Sequence, residues 1–336
     1  MKSRERFLAA LRREPVDRKP CITGSVYVLE FQKIAGVQWP KMHEDPEAMV
    51  KMASVEYTHC GTDNICLPFS FVHEPIALGC EYNIGAPDRQ PYITKGFESP
   101  DQIEYEKFLE KPSIQVVLKA VKMARERFPD AAITPFVTGP GTLTGYLMNT
   151  EVYAKLSFKE PQRVKPFLDI AVKVFKMYVG ALIDESGAEF LYVPDPSASV
   201  TVITPKAYKE LILPAQKECF DFAKSKGAYP YLHMCGRVMP ILDAMAQSGA
   251  YGISLEQTVD MAEAKKVIGN RAALIGNVTP MLLVEGPVEK IREEVKTAIV
   301  KGVDIVMPGC GTPPLAKPEY IKAMVQATIE YSSLGQ

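Results

Sequence analysis

The tripeptide His233-Met234-Cys235 sets an imidazole and a thiol two residues apart. On an extended strand that spacing points both side chains to one face, so they can meet a single ion while Met234 points away. Alone, the pair reads either as a buried structural couple or as half of a metal site. A third soft ligand stands far along the chain. Cys310 lies in Met307-Pro308-Gly309-Cys310-Gly311, where the flanking glycines permit a sharp turn that aims a thiolate inward. One histidine and two cysteines make a recognised zinc set, with the fourth position left for water or substrate. The competing readings are a closed four-ligand zinc site, or no metal.

Three further polar residues fall where strands should end. Glu256 could occupy the open metal position or orient a ligand, or it could bond to backbone amides. Asp195, between two prolines, could hold a substrate, orient His233 or cap a helix. Asn277 suits an amide-rich cofactor edge, or a turn. The other histidines, His43, His59 and His73, lack ligand-like spacing and read as surface or satisfied core residues.

These residues need a frame that brings distant strand ends together. From about residue 130, short apolar runs alternate with stretches of helical period, which is a βα rhythm. The strand candidates are Pro20–Thr23, Asp63–Leu67, Ala132–Val137, Glu189–Val193, Ala228–His233, Gly252–Glu256, Ala273–Asn277 and Val303–Pro308. Helical stretches include Pro205–Lys226, Arg237–Ser248 and Pro287–Lys301. Eight βα units predict an α/β fold, a single TIM (β/α)8 barrel over residues 1–336, with chemistry at the C-terminal ends of its strands. An open doubly wound sheet is the alternative, but no Gly-x-Gly-x-x-Gly follows the first strand. A short amphipathic helix should precede the barrel, and the Pro- and Gly-bearing stretch from about Cys80 to Pro112 reads as an excursion over its mouth.

Composition narrows the function classes. Of 336 residues, 47% are hydrophobic and 24% charged; 39 Lys plus Arg oppose 40 Asp plus Glu. A net charge of −1 and the lack of a basic run argue against a nucleic-acid partner. No apolar stretch reaches the ~18–20 residues that span a bilayer, and the N-terminus lacks the apolar core of a secretory signal, so a cytoplasmic protein is expected. The seven scattered cysteines read as free thiols.

Taken together, several motifs resemble the uroporphyrinogen decarboxylase superfamily, and within it the methylcobamide:coenzyme M methyltransferases. They are Glu14-Pro15-Val16-Asp17, Gly79-Cys80-Glu81 with Arg89-Gln90-Pro91, Asp195-Pro196-Ser197-Ala198-Ser199, Leu232-His233-Met234-Cys235-Gly236, Ile275-Gly276-Asn277-Val278, Glu285-Gly286-Pro287-Val288 and Pro308-Gly309-Cys310-Gly311. The resemblance spans nearly the whole chain. It implies a TIM barrel with Zn2+ on His233, Cys235 and Cys310, Glu256 near the metal, and a methylated corrinoid protein as donor. It further implies that a small thiol such as coenzyme M, ionised at the metal, accepts the methyl group. Two thiolate ligands cancel the charge of zinc, which favours a nucleophilic sulfur over Lewis-acid hydrolysis. The chain carries no cobalamin-binding Asp-x-His-x-x-Gly segment, so the methylcobamide is expected on a separate partner.

Two departures bear on substrate. After Pro15-Val16-Asp17-Arg18, the arginine-bearing segment of the decarboxylases is replaced by Cys21-Ile22-Thr23-Gly24-Ser25-Val26-Tyr27, which argues against tetrapyrrole decarboxylation. Arg237 follows Cys235-Gly236 where the coenzyme M enzymes carry an uncharged residue, so tetrahydrofolate or another thiol stays open as acceptor. A non-catalytic module that binds a corrinoid protein or stores zinc is the third alternative.

Overall fold

Alternation along the strands decides which side chains face inward. In the computed structural model, which describes residues 1–24 and 27–335, seven parallel strands have been sorted this way. Ser25 and Val26, in the segment that departs from the decarboxylases, lie outside the described residues. Strands β1 (Asn64–Leu67), β2 (Glu81–Asn83), β3 (Tyr92–Lys95), β4 (Ala132–Pro135), β5 (Phe190–Pro194), β6 (Tyr229–Met234), β7 (Gly252–Leu255), β8 (Ala273–Val278) and β9 (Ile305–Pro308) follow in order. Five of them, β5 to β9, form one parallel sheet in chain order, and β1 pairs with β4 in parallel. Helices connect neighbours, as parallel pairing requires. Leu213–Ser225 joins β5 to β6, Met261–Ile268 joins β7 to β8, and Val288–Val300 joins β8 to β9.

The five-stranded sheet supplies five of the eight strands expected for the barrel. Single bridges tie it to the remainder: Phe136 to Tyr192 on one side, and Cys21 to Val306 on the other. The Asp63 N–H donates to the Cys21 carbonyl at 2.8 Å, which carries the connection on to β1. The predicted strand Pro20–Thr23 is therefore reduced to one bridge. Pro20 has no N–H to donate, which shortens any ladder there.

On β5, Leu191 and Val193 belong to the large core beneath the helices, whereas Phe190 and Tyr192 belong to a smaller cluster with Tyr231, Ile275, Ile305 and Met307. The helix Ser3–Arg12, expected from its amphipathic pattern, drives Phe7 and Leu11 into that inner cluster. The Phe7 ring meets Phe190 edge-on at 5.0 Å and Tyr231 at 5.6 Å. Gly252 makes room for it, since a Cβ there would lie 3.0 Å from Leu11.

The interruption from Cys80 to Pro112 is an antiparallel hairpin of β2 and β3 followed by short turns. The Tyr27 hydroxyl and the Gln32 amide donate to its Ala86 and Pro87 carbonyls, and Phe97 N–H donates to Leu147. The stretch Arg237–Ser248 is less helical than its pattern predicts, holding only Met239–Ile241 and Leu242–Met245. No helix among the described residues is long and apolar enough to cross a membrane.

Candidate metal centre

His233 shares strand parity with Tyr231 and so faces the inner cluster at the C-terminal end of β6. Cys235 follows just past the strand, and Cys310 sits just past β9. The ligand atoms of His233, Cys235 and Cys310 lie within 4.8 Å of one another. Sulfurs bonded at about 2.3 Å to one tetrahedral zinc stand roughly 4 Å apart, so the three donors suit a single ion.

The imidazole is set for coordination. His233 is 3% exposed; its Nδ1 lies 3.0 Å from Ser254 Oγ, while its Nε2 is buried without a partner. Ser254, directly across from His233 in the β6–β7 register, gives its own proton to Met307 Sδ at 3.5 Å. A hydroxyl that donates to sulfur must accept from the imidazole. That assigns the ring proton to Nδ1 and leaves the Nε2 lone pair for a metal.

The two thiols are coupled. A hydrogen bond from Cys235, opposed by burial, pulls the Cys310 thiol down. The same hydrogen bond, with burial and the negative charges of Cys310 and Glu256, pushes Cys235 up. Two thiols this close resist ionising together, and a bound cation would be needed to make both of them thiolates.

Both sulfur-bearing turns are clamped. Gly236 has φ +82°, and a Cβ there would lie 2.5 Å from Thr201 Oγ1, so glycine is required. Its N–H donates to Glu256 Oε2 at 2.7 Å, and Arg237 N–H donates to Thr201 Oγ1 at 3.0 Å. On the other turn, a Cβ at Gly309 would lie 2.4 Å from Gln257 N. The loop after β7 thus presses on Cys310 through Gln257 and holds Cys235 through Glu256.

The remaining predicted site residues each take one side of the alternatives their types allow. Glu256 is half-buried, engaged by the Gly236 amide and the Thr258 hydroxyl, and it positions the Cys235 turn. Asp195 is not directed at His233. Its carboxylate accepts from Thr142 N at 2.6 Å, Gln216 Nε2 at 2.8 Å and Gly141 N at 3.3 Å, capping the start of the preceding helix Pro140–Met148. The carboxyl is wholly buried, and burial raises its pKa against those hydrogen bonds. Asn277 donates both amide hydrogens to the Glu256 and Val259 carbonyls, at 3.0 and 2.9 Å, which turns it toward the β7 loop rather than toward a cofactor edge. Sequence reasoning missed Ser254 and Met307. The signal was available, because Ser254 sits two residues before Glu256 at an inward position where an apolar residue is the rule. His59 is exposed as expected, but His43 and His73 are buried and incompletely satisfied.

A parallel sheet with soft ligands gathered beyond its C-terminal strand ends defines the class, and comparison with known proteins gives the family. The model for uroporphyrinogen decarboxylase (URO-D) matches residues 2–331, and the chain belongs to that family. Within it the chain is a methyltransferase. It is 36% identical over 338 residues to methylcobamide:CoM methyltransferase MtaA of Methanosarcina barkeri, covering 97% of each chain. It is 31% identical to a methylated-thiol–coenzyme M methyltransferase of Methanosarcina mazei, covering 90% of this chain and 82% of that one. A solved methyltransferase from Methanosarcina mazei superposes with a TM-score of 0.93 at 34% identity, covering 98% of this chain and 99% of that one. The uroporphyrinogen decarboxylase of Streptomyces avermitilis is 25% identical.

Proposed function

We propose that this protein moves a methyl group from a methylated corrinoid, carried by a partner protein, to a small thiol, with coenzyme M as the acceptor. The observation that carries the reading is the convergence of His233, Cys235 and Cys310 within 4.8 Å, two of them half-buried thiols and one supplying an unpartnered buried nitrogen. Those three residues would hold Zn2+, which when bound supplies a positive centre that keeps an acceptor thiol ionised at neutral pH.

The chain's own residues do the rest. Ser254 holds the His233 tautomer, Glu256 and Thr201 fix the turn that presents Cys235, and Gln257 backs the turn that presents Cys310. The names of the relatives support the thiol acceptor, since two of them act on coenzyme M. We further read β1, β4, the Cys21 bridge and the five-stranded sheet as one closed eight-stranded barrel, a single domain spanning the chain. Seven unpaired thiols suit a reducing cytoplasm.

The test pairs metal analysis with demethylation of methylcobalamin by the purified protein, using coenzyme M, other thiols and tetrahydrofolate as acceptors. Stoichiometric zinc and turnover with coenzyme M, abolished by a chelator and restored by zinc, are expected. Turnover with tetrahydrofolate alone would reject the acceptor, and zinc content unchanged in Cys235→Ala and Cys310→Ala would reject the site.

A further inference from the structure

The seven cysteines fall into two sets. Cys21, Cys60, Cys66, Cys80 and Cys219 are buried. Burial pushes the thiols of Cys21, Cys60 and Cys80 up to about 12, and it raises those of Cys66 and Cys219 as well. Such thiols stay protonated and are inert. Cys235 and Cys310 are half-buried, so part of each residue meets solvent.

The two accessible thiols are also neighbours. Their sulfurs lie within 4.8 Å, and a disulfide closes to about 2.05 Å, so the pair has to travel by no more than ~3 Å. On one side the Cys235 turn is pinned, because the Gly236 N–H donates to Glu256 and the Arg237 N–H donates to Thr201. Cys310 has more freedom. Beyond it, residues 311–317 hold no helix or strand before the helix Pro318–Tyr331, and Gly311 lets the backbone turn at the cysteine's own edge. The travel therefore falls on the Cys310 side.

Bridge and cation compete for the same atoms. A metal takes each sulfur as a thiolate, whereas a disulfide sulfur carries no charge to give. Closing the bridge removes two of the three proposed ligands at once and leaves His233 alone, which is too little to retain an ion. The same pair is thus the most exposed thiol chemistry on the chain and the one whose oxidation changes the site most.

We infer that Cys235 and Cys310 are a modification site for low-molecular-weight disulfides, which convert the pair into a reversible Cys235–Cys310 bridge that excludes the cation. In the first step the thiolate of one cysteine attacks a sulfur of the small disulfide RSSR and expels RS⁻. In the second the other cysteine gives its proton to that RS⁻, attacks the mixed disulfide and expels a second RS⁻. Two protein thiols are oxidised, one RSSR is reduced to RSH and RS⁻, and bound Zn2+ leaves. A small reducing thiol runs the same steps backward. The inference shares its sulfurs with the proposed metal centre but needs neither a corrinoid nor methyl transfer.

The probe is 2-hydroxyethyl disulfide, a small neutral oxidant, added to the full chain as purified and to the same protein after chelation. After acid quenching and alkylation in denaturant, reduced protein should carry label on all seven cysteines, and oxidised protein should lose it from Cys235 and Cys310. Peptide mapping should find those two residues cross-linked, and dithiothreitol should restore the full label. In zinc-loaded protein each bridge should release one Zn2+ to a chromogenic chelator. Saturating zinc should slow bridging by roughly tenfold or more, because only the ion-free fraction can close. Cys310→Ser should stop at a mixed disulfide on Cys235, whereas Cys219→Ser should bridge like the wild type. Mixed disulfides on both residues without a bridge, a bridge through any of the buried five, or a bridge that leaves zinc in place would overturn the inference. Normal zinc binding with no bridge would reject this inference alone, and a bridge in protein that never binds zinc would reject the metal centre alone. Peptide mapping of the wild type decides the matter even where a variant folds poorly.

Discussion

The two ends of the parallel strands are built on opposite terms. At the N-terminal ends, Asp63 is wholly buried, yet it accepts from Arg6 at 2.7 Å, Arg18 at 2.8 Å and the Cys21 N–H at 2.8 Å. Arg6 also reaches Asp17, the last residue of the Glu14-Pro15-Val16-Asp17 motif, at 2.7 Å. Phe7 and Leu11 close the space beside this network. At the C-terminal ends the accounting is left open: His233 Nε2 is orphaned, and the only hydrogen bond that shifts both thiols is the one they make to each other. Asp63 and its satisfied partners serve stability, whereas the unsatisfied His233 and its two neighbouring thiols fit the proposed metal.

Mutation at either end should separate those roles. The largest effect is expected from Cys310→Ala, Cys235→Ala or His233→Ala. Each should cost the bound metal and lower methyl transfer by well over the ~100-fold that removing a ligand's hydrogen-bond partner costs, with little change in the thermal midpoint. A variant that kept its metal but unfolded early would erase the contrast.

Next comes Asp63→Asn at the other end. It leaves two guanidinium groups without their buried carboxylate, and about 3–5 kcal/mol of stability should be lost in urea denaturation. The fraction that remains folded should carry its normal zinc. Loss of zinc from folded protein would mean that the two ends are coupled.

Ser254→Ala sharpens the picture further. Removing the hydroxyl frees the His233 tautomer and should weaken zinc by ~10–100-fold in competition with a chelator. Ser254→Thr, which keeps the hydroxyl, should recover most of the affinity. Equal weakening in both variants would show that packing, not the hydrogen bond, is responsible.

The smallest effect concerns pH. The hydrogen bond from Arg6, opposed by burial and aided by the N-terminal ammonium, holds the Asp17 carboxyl well below the usual carboxylate range. Its stabilisation is therefore complete above the unfolded value of about 4 and is lost as pH falls through the lower folded value. Between pH 5 and pH 3 the wild type should lose stability more steeply than Asp17→Asn. Because Asp17 is 40% exposed, added salt should narrow the difference. Parallel pH profiles would remove Asp17 from the network.

Much of this contrast was legible before any coordinates. The proposed ligand set stands out because its residue types are uncommon at strand ends, and the strand period places His233 and Cys235 on one side. The alternation of apolar runs and helical stretches located every strand of the five-stranded sheet. What could not be read is side-chain direction at a strand's C-terminal end. Asp195 and Asn277 occupy the right ends of the right strands, but their side chains turn sideways, one onto the amides of a helix and the other onto a loop. Asp195 is drawn there because Gly139 and Gly141 let the backbone approach, and a Cβ at Gly139 would lie 2.4 Å from the aspartate. His43 and His73 were invisible as a pair, since only folding brings the segment after Pro40 beside the helix that follows β1.

The loop that follows β7 contributes none of the proposed ligands, yet it lies between the two turns that carry them, bonded to one by a carboxylate and packed on the other by its backbone. It acts as a spacer that sets the bite of the sulfur pair. Lengthening or trimming residues 256–259 would retune the distance between Cys235 and Cys310 without touching either, and so offers a handle on which cation the centre prefers.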